Sequence, residues 1–147
     1  MDKLIWVIIA LLSGAVLPIQ AGLNARLGIA AQNSAYAATI SFIVGTVGLI
    51  IYILLTRQTA SIPGLREAPG YLWLGGLLGA FYVTAIVLLF PKLGPGLTFG
   101  LVVAGQMLVS IMLEHFNVLV AHPTPINYMK LLGIALVIAG VVIIRKY

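Results

Sequence analysis

Five long runs of this sequence are almost free of charge, and that property restricts the chain to one class of fold. A bilayer core asks for about 20 apolar residues per helix. Runs of that length extend from about Leu4 to Asn24, Ser34 to Thr56, Tyr71 to Phe90, Pro95 to His115 and Tyr128 to Ile144. The punctuation between them agrees. Gly64, Pro69 and Gly70 mark a loop after the second run, and Pro91 to Gly96 reads as a tight turn with Pro95 at a first helical position. His122-Pro123-Thr124-Pro125 interrupts the chain before Asn127, a natural N-cap. Trp6, Tyr52, Tyr71, Trp73 and Tyr128 gather near run ends on one side, Tyr36 and Tyr147 on the other, where amphipathic rings settle in a bilayer. The chain reads as an all-α integral membrane protein, one five-helix membrane domain over residues 1–147.

Composition excludes the alternatives. Hydrophobic residues make up 62% and charged residues 7%, whereas soluble chains carry about 25% charge. Mean hydropathy is +1.17. The net charge of +5 does not indicate nucleic acid, because the basic residues stand singly and form no clustered face. With no cysteine, disulfides, thiolate metal sites and cysteine nucleophiles are excluded. Two histidines, His115 and His122, and three acids, Asp2, Glu67 and Glu114, leave little for catalysis, a metal or a cofactor, and none is expected. No nucleophile, base and orienting group can be assembled, so an enzyme is not expected. Met1-Asp2-Lys3 before an apolar run imitates a signal peptide, but the run outlasts a short h-region and reads as a retained first helix.

The eight basic residues divide evenly when the chain is followed back and forth. Lys3, Arg57, Arg66 and Lys130 fall on the side of the amino terminus, and Arg26, Lys92, Arg145 and Lys146 on the other. Orientation follows an excess of Lys and Arg in short cytoplasmic loops, and no excess exists. The expectation is dual topology, with copies inserted both ways and paired antiparallel.

Helices in lipid associate through close packing of small residues. Gly75, Gly76, Gly79 and Ala80 supply these in the third span, and Gly96, Gly100 and Ala104 at steps of four in the fourth. The bland reading is that they pack the monomer. Gly133 and Gly140 share a face of the fifth span and are taken as the dimer seam.

Polar groups within a bilayer are costly, and each is a site hypothesis. Gln20 and Asn24 lie four apart on one face of the first span, just after Pro18, which leaves a carbonyl without its donor. Gln106, Ser110 and Glu114 form a stripe along the fourth. Tyr82 and Thr84 sit mid-way along the third, Thr39, Ser41 and Thr46 in the second. Hydroxyls in membrane helices usually bond back to their own backbone, so these Ser and Thr read as structural. An amide needs outside partners: Gln20, Asn24 and Gln106 either hold one another or line a polar path. Tyr82 reads equally as a packed aromatic. Glu114 and His115 read as a headgroup anchor pair, with ion or proton handling as the alternative, and Arg26 as an edge anchor or an anion-steering group at the mouth. No charged residue lies in the middle of any span, which disfavours a proton-coupled carrier of cationic drugs and favours neutral or zwitterionic polar solutes.

The stretch from Pro18 through Gln20 and Asn24 to Gly28 resembles the first-helix signature of the YdcZ family, within the drug/metabolite transporter superfamily. Gly75 to Gly94 is similar to its third helix, and Gly105-Gln106-Met107-Leu108-Val109-Ser110 to Phe116 to its fourth. The resemblance spans essentially the whole chain. It departs at Glu114, where the family usually has Asp, and at Asn117, where it usually has Gly. The resemblance implies a multi-pass protein of the bacterial inner (cytoplasmic) membrane that moves a small metabolite. It also implies pairing as antiparallel homodimers or as paired heterodimers, giving ten helices as inverted repeats.

The function expected is a half-unit of a secondary transporter working by alternating access. Substrate contacts are expected at Gln20, Asn24, Tyr82, Gln106 and Ser110. Its partners would be the lipid bilayer, a small-molecule substrate and a second copy in opposite orientation, or a paralogous chain. The rivals are a small dual-topology channel and an accessory subunit that does not itself transport.

Overall fold

The computed structural model describes residues 3–120 and 124–147. Asp2 and the His122-Pro123 step lie outside the described residues. Helix α1 spans Lys3–Ala30, α2 Ser34–Thr56, a short α3 Ile62–Glu67, α4 Leu74–Leu93, α5 Pro95–His115 and α6 Tyr128–Lys146, with a 3-10 turn Gly70–Trp73 leading into α4. Five of these helices are long and apolar enough to cross a membrane, the third counted as Gly70–Leu93. The five expected spans are all present.

Their ends move, for a common reason. Apolarity was expected to close the first span near Asn24, but α1 continues to Ala30, so Arg26 stands on the helix. It stops at a backbone cap. Gln32 adopts φ 49°, the Asn33 N–H donates to the Gly28 carbonyl at 3.0 Å and the Gln32 N–H to Ile29 at 3.1 Å. This is the Schellman pattern, which satisfies carbonyls the helix leaves open. Arg57 (φ 51°) closes α2 the same way, with Gln58 N–H donating to Ile53 at 3.0 Å. Asn117 (φ 55°) closes α5, with Val118 N–H donating to Leu113 at 2.9 Å. None of the three is glycine.

The turn expected from Pro91 onward begins later. Pro91 lies inside α4, which runs to Leu93. A proline that close to the end removes one backbone donor and leaves the rest of the turn able to close. The break falls at Gly94, whose φ of +75° suits a residue without Cβ, and Pro95 begins α5 as expected. The loop marked by Gly64 also holds structure: the Ser61 hydroxyl accepts from the Gly64 N–H at 3.3 Å and starts α3. Asn127 caps α6, accepting from the Lys130 N–H at 2.9 Å.

The chain forms two compact units, one ending at Lys92 and the other running from Leu93 to Tyr147. In the first, α1, α2 and α4 meet through glycines. A Cβ on Gly28 would come 2.8 Å from Val87 Cγ1, one on Gly22 3.6 Å from the Phe90 ring, and one on Gly79 3.5 Å from Phe42. The buried residues Ala21, Ala25, Ala37, Ala38, Ile86 and Val87 belong to these three helices. In the second unit, α5 and α6 form a hairpin. Gly100 approaches Val141 so closely that a Cβ would meet it at 3.0 Å, and Gly96 faces Ile144 at 3.5 Å. The small-residue stripe of the fourth span therefore packs the monomer, as the bland reading had it.

Candidate functional site

Two cavities of the first unit lie along its membrane-length helices among polar groups singled out in the sequence. The larger, about 450 Å³, is walled by Ala35, Ala38, Phe42 and Ala80, with Thr39 and Thr84 among its polar groups. The smaller, about 230 Å³, is lined by Gln20, Ser41 and Val83. Phe42 and Thr46 line both. No charged side chain borders either one among the described residues. Small residues on α2 and α4 make the space, since alanines at facing positions cannot fill the gap that larger side chains would close.

The hydroxyls divide into two groups. Thr39 donates to the Ala35 carbonyl at 2.9 Å and Thr46 to Phe42 at 2.8 Å, the back-bonding expected of membrane helices. Ser41 and Thr84 have no such bond among the described residues, so their hydroxyls stand available at the cavity walls. Both had been expected to be structural. Nothing in their spacing separates them from Thr39 and Thr46; only the cavity does.

Gln20 is exposed on α1 and faces the smaller cavity. Asn24, one turn further, is buried with only 8% exposure. It has no hydrogen-bond partner among the described residues, yet no buried polar atom there is sealed without one. The stem of Asn24 is therefore enclosed while its amide still reaches open space. Gln20 and Asn24 do not bond to each other. Tyr82 is half-buried on α4, next in sequence to the cavity residue Val83. Arg26 is exposed on α1.

In the second unit, Gln106 is exposed on α5 and Ser110, one turn on, is half-buried; neither has a hydrogen-bond partner among the described residues. Gly133 and Gly140 have nothing within 4 Å of an added Cβ, so they do not pack the hairpin.

Glu114 is engaged, and its partner is Lys130. The Lys130 ammonium donates to Glu114 Oε2 at 2.6 Å, and the Thr124 hydroxyl donates to the same oxygen at 2.6 Å. Lys130 also donates to the Thr124 carbonyl at 3.2 Å. His115 Nδ1 accepts from the Ile126 N–H at 3.5 Å. The end of α5 is thus stitched to the start of α6 by an ion pair and by the bonds of Thr124 and Ile126 in the connecting segment. Lys130 and Thr124 escaped the sequence reading because 16 residues separate Lys130 from Glu114 and no helical periodicity links them.

The family model "Putative inner membrane exporter, YdcZ" matches residues 5–143. The chain belongs to the YdcZ family. No curated protein and no solved structure matches it. Membership in an inner-membrane exporter family, together with five membrane-length apolar helices, makes this YdcZ chain a multi-pass inner-membrane protein. The resemblance carried by Pro18 to Gly28 and by Gly105 to Phe116 is confirmed at the level of the family. The departure at position 117 also acquires a cause. Asn117 occupies a left-handed position, where glycine is favoured and asparagine is the next most tolerant residue.

Proposed function

We propose that the chain is one half of a secondary exporter in the drug/metabolite transporter superfamily. It carries a small polar solute, neutral or zwitterionic, across the inner membrane by alternating access. The observation that carries this reading is the pair of cavities among membrane-length helices. They are lined by uncharged hydrogen-bonding groups on apolar walls. Such walls accept a solute body, and the amide and hydroxyl groups fix its orientation. A permanently charged guest would lose its hydration without a counter-charge, a large cost in a medium of low dielectric. Gln20 lines the smaller cavity and is the proposed solute contact there; Asn24 and Tyr82 in the first unit, and Gln106 and Ser110 in the second, are proposed as further hydrogen-bonding groups, each within its own unit. Glu114, held by Lys130, serves as an edge brace and carries no coupling proton. A second copy in opposite orientation completes the ten-helix transporter, with Gly133 and Gly140 at the seam. The balanced basic residues and the open faces of these two glycines support that pairing.

The test is efflux from proteoliposomes loaded with a defined mixture of neutral and zwitterionic metabolites, followed by mass spectrometry. One or more solutes should leave with saturable kinetics, and Asn24→Ala and Gln106→Ala should each cut that flux at least tenfold while the protein still dimerises. Flux that does not saturate would mean a channel. Flux no faster than from empty liposomes, with variants that instead lose a co-purifying partner, would mean an accessory subunit.

A further inference from the structure

We infer that the first unit carries a second binding site, unrelated to the solute cavities, that holds a phosphate anion presented by a phospholipid headgroup. A cavity of about 180 Å³ opens where α1 and α4 end and α2 begins. Its floor is apolar and closed: Ala25 and Val87 are buried. Its rim is polar and cationic, with Gln32, Ser34 and Lys92. The start of α2 contributes little, because the Asn33 side chain already accepts from the Ala35 and Tyr36 N–H groups at 2.9 and 3.2 Å. The attracting charge is Lys92.

That charge has no counter-ion among the described residues of the unit. The one ion pair among the described residues joins Lys130 to Glu114. Glu67 lies on α3, in the connection between α2 and α4, and so at the end of the unit away from this cavity. Asp2 precedes α1 and lies outside the described residues. Lys92 thus looks outward for an anion. It does so at the ends of three membrane helices, the depth at which headgroups sit. Basic pockets between membrane helices recognise anionic headgroups through this combination of one or more cations with an apolar floor for the adjoining glycerol and acyl carbons. The rim is also set in advance. Gln32 is held in the left-handed conformation by the bond from the Asn33 N–H to Gly28, so little order has to be gained on binding.

The full chain is purified in a neutral detergent, and its thermal unfolding midpoint is followed against added lipid. Dioleoylphosphatidylglycerol should raise the midpoint in a saturable way, whereas dioleoylphosphatidylcholine should not. Lys92→Gln should weaken the apparent affinity about fivefold, the value of one cation at an anionic surface, and Lys92→Arg should restore it. Gln32→Glu, which sets a carboxylate on the rim while leaving Lys92 in place, should weaken it further. Lys146→Gln, which removes a terminal cation that does not line the cavity, should change the affinity less than twofold. A shift that depends on Lys92 and is reproduced by inorganic phosphate alone would support the site and make a free anion its ligand. Equal response to both lipids would overturn the inference. So would equal losses in the Lys92 and Lys146 variants, or unchanged binding in both Lys92→Gln and Gln32→Glu.

Discussion

Replacing Gly28 by alanine should destabilise the first unit, and the amount can be worked from the contact. The new methyl would sit 2.8 Å from Val87 Cγ1, against an ordinary carbon–carbon separation of about 3.5–4.0 Å. Val87 is 3% exposed and branched at Cβ, so it has neither space nor a free rotamer into which to withdraw. Overpacking of this kind costs about 1–3 kcal/mol. Alanine in place of helical glycine returns about 0.8–1.0 kcal/mol. The net loss should be about 1 kcal/mol. A double-mutant cycle isolates the contact, because Val87→Ala removes the obstructing methyls. Gly28→Ala should then be harmless or favourable in the Val87→Ala background, with a coupling energy of about 1–2 kcal/mol. The assay is reversible unfolding in mixed detergent micelles, scored by helicity. Additive single and double variants would refute the reasoning, since they would mean α1 and α4 do not meet through Gly28.

Asn117→Gly should be neutral or stabilise by a few tenths of a kcal/mol, whereas Asn117→Val should cost about 1–2 kcal/mol through the left-handed backbone there, both read in the same unfolding assay. Glu114→Gln should loosen the α5–α6 connection, seen as faster amide exchange at residues 116–120, 126 and 127; pairing it with Lys130→Gln should recover part of the protection, because the double variant leaves no unpaired ammonium behind. Gly133→Leu should leave monomer stability unchanged, as nothing lies within 4 Å of that position, while abolishing chemical cross-linking between copies if α6 forms the dimer seam. Cross-linking that survives moves the seam to another helix.

Hydropathy made the spans legible because a 20-residue apolar run has few other destinations. Side-chain caps were legible too: Asn127 and Pro95 act through their own chemistry and stand where it requires. Helix ends set by the backbone were hidden. Gln32, Arg57 and Asn117 adopt positive φ without being glycine, and the hydrogen bonds that hold them there involve main-chain atoms common to every residue. The two cavities were partly legible. Gln20 announced itself as an amide in an apolar run, but the role of Thr84 and Ser41 depends on where Ala38 and Ala80 leave room. The Glu114 contact escaped for another reason: its partner stands across a loop, 16 residues away, and the sequence reading placed Glu114 only as a headgroup anchor beside His115.

The Lys130 clasp also bears on how the hairpin meets the bilayer. Lys130 and Arg145 both lie within α6, fifteen residues apart, which at 1.5 Å per residue places them about 22 Å apart along the axis. The hydrocarbon core is about 30 Å thick, so cations at the two ends must stretch toward the headgroups. Arg145 can do so with its full side chain. Lys130 cannot, because its ammonium is spent on Glu114 and Thr124. In membranes of longer acyl chains the difference falls on one side of the hairpin alone, and the lipid there must thin or the ion pair must part. α5, at 21 residues, is long enough for an ordinary core, so the mismatch belongs to α6, and acyl-chain length should act on the hairpin through its ion pair.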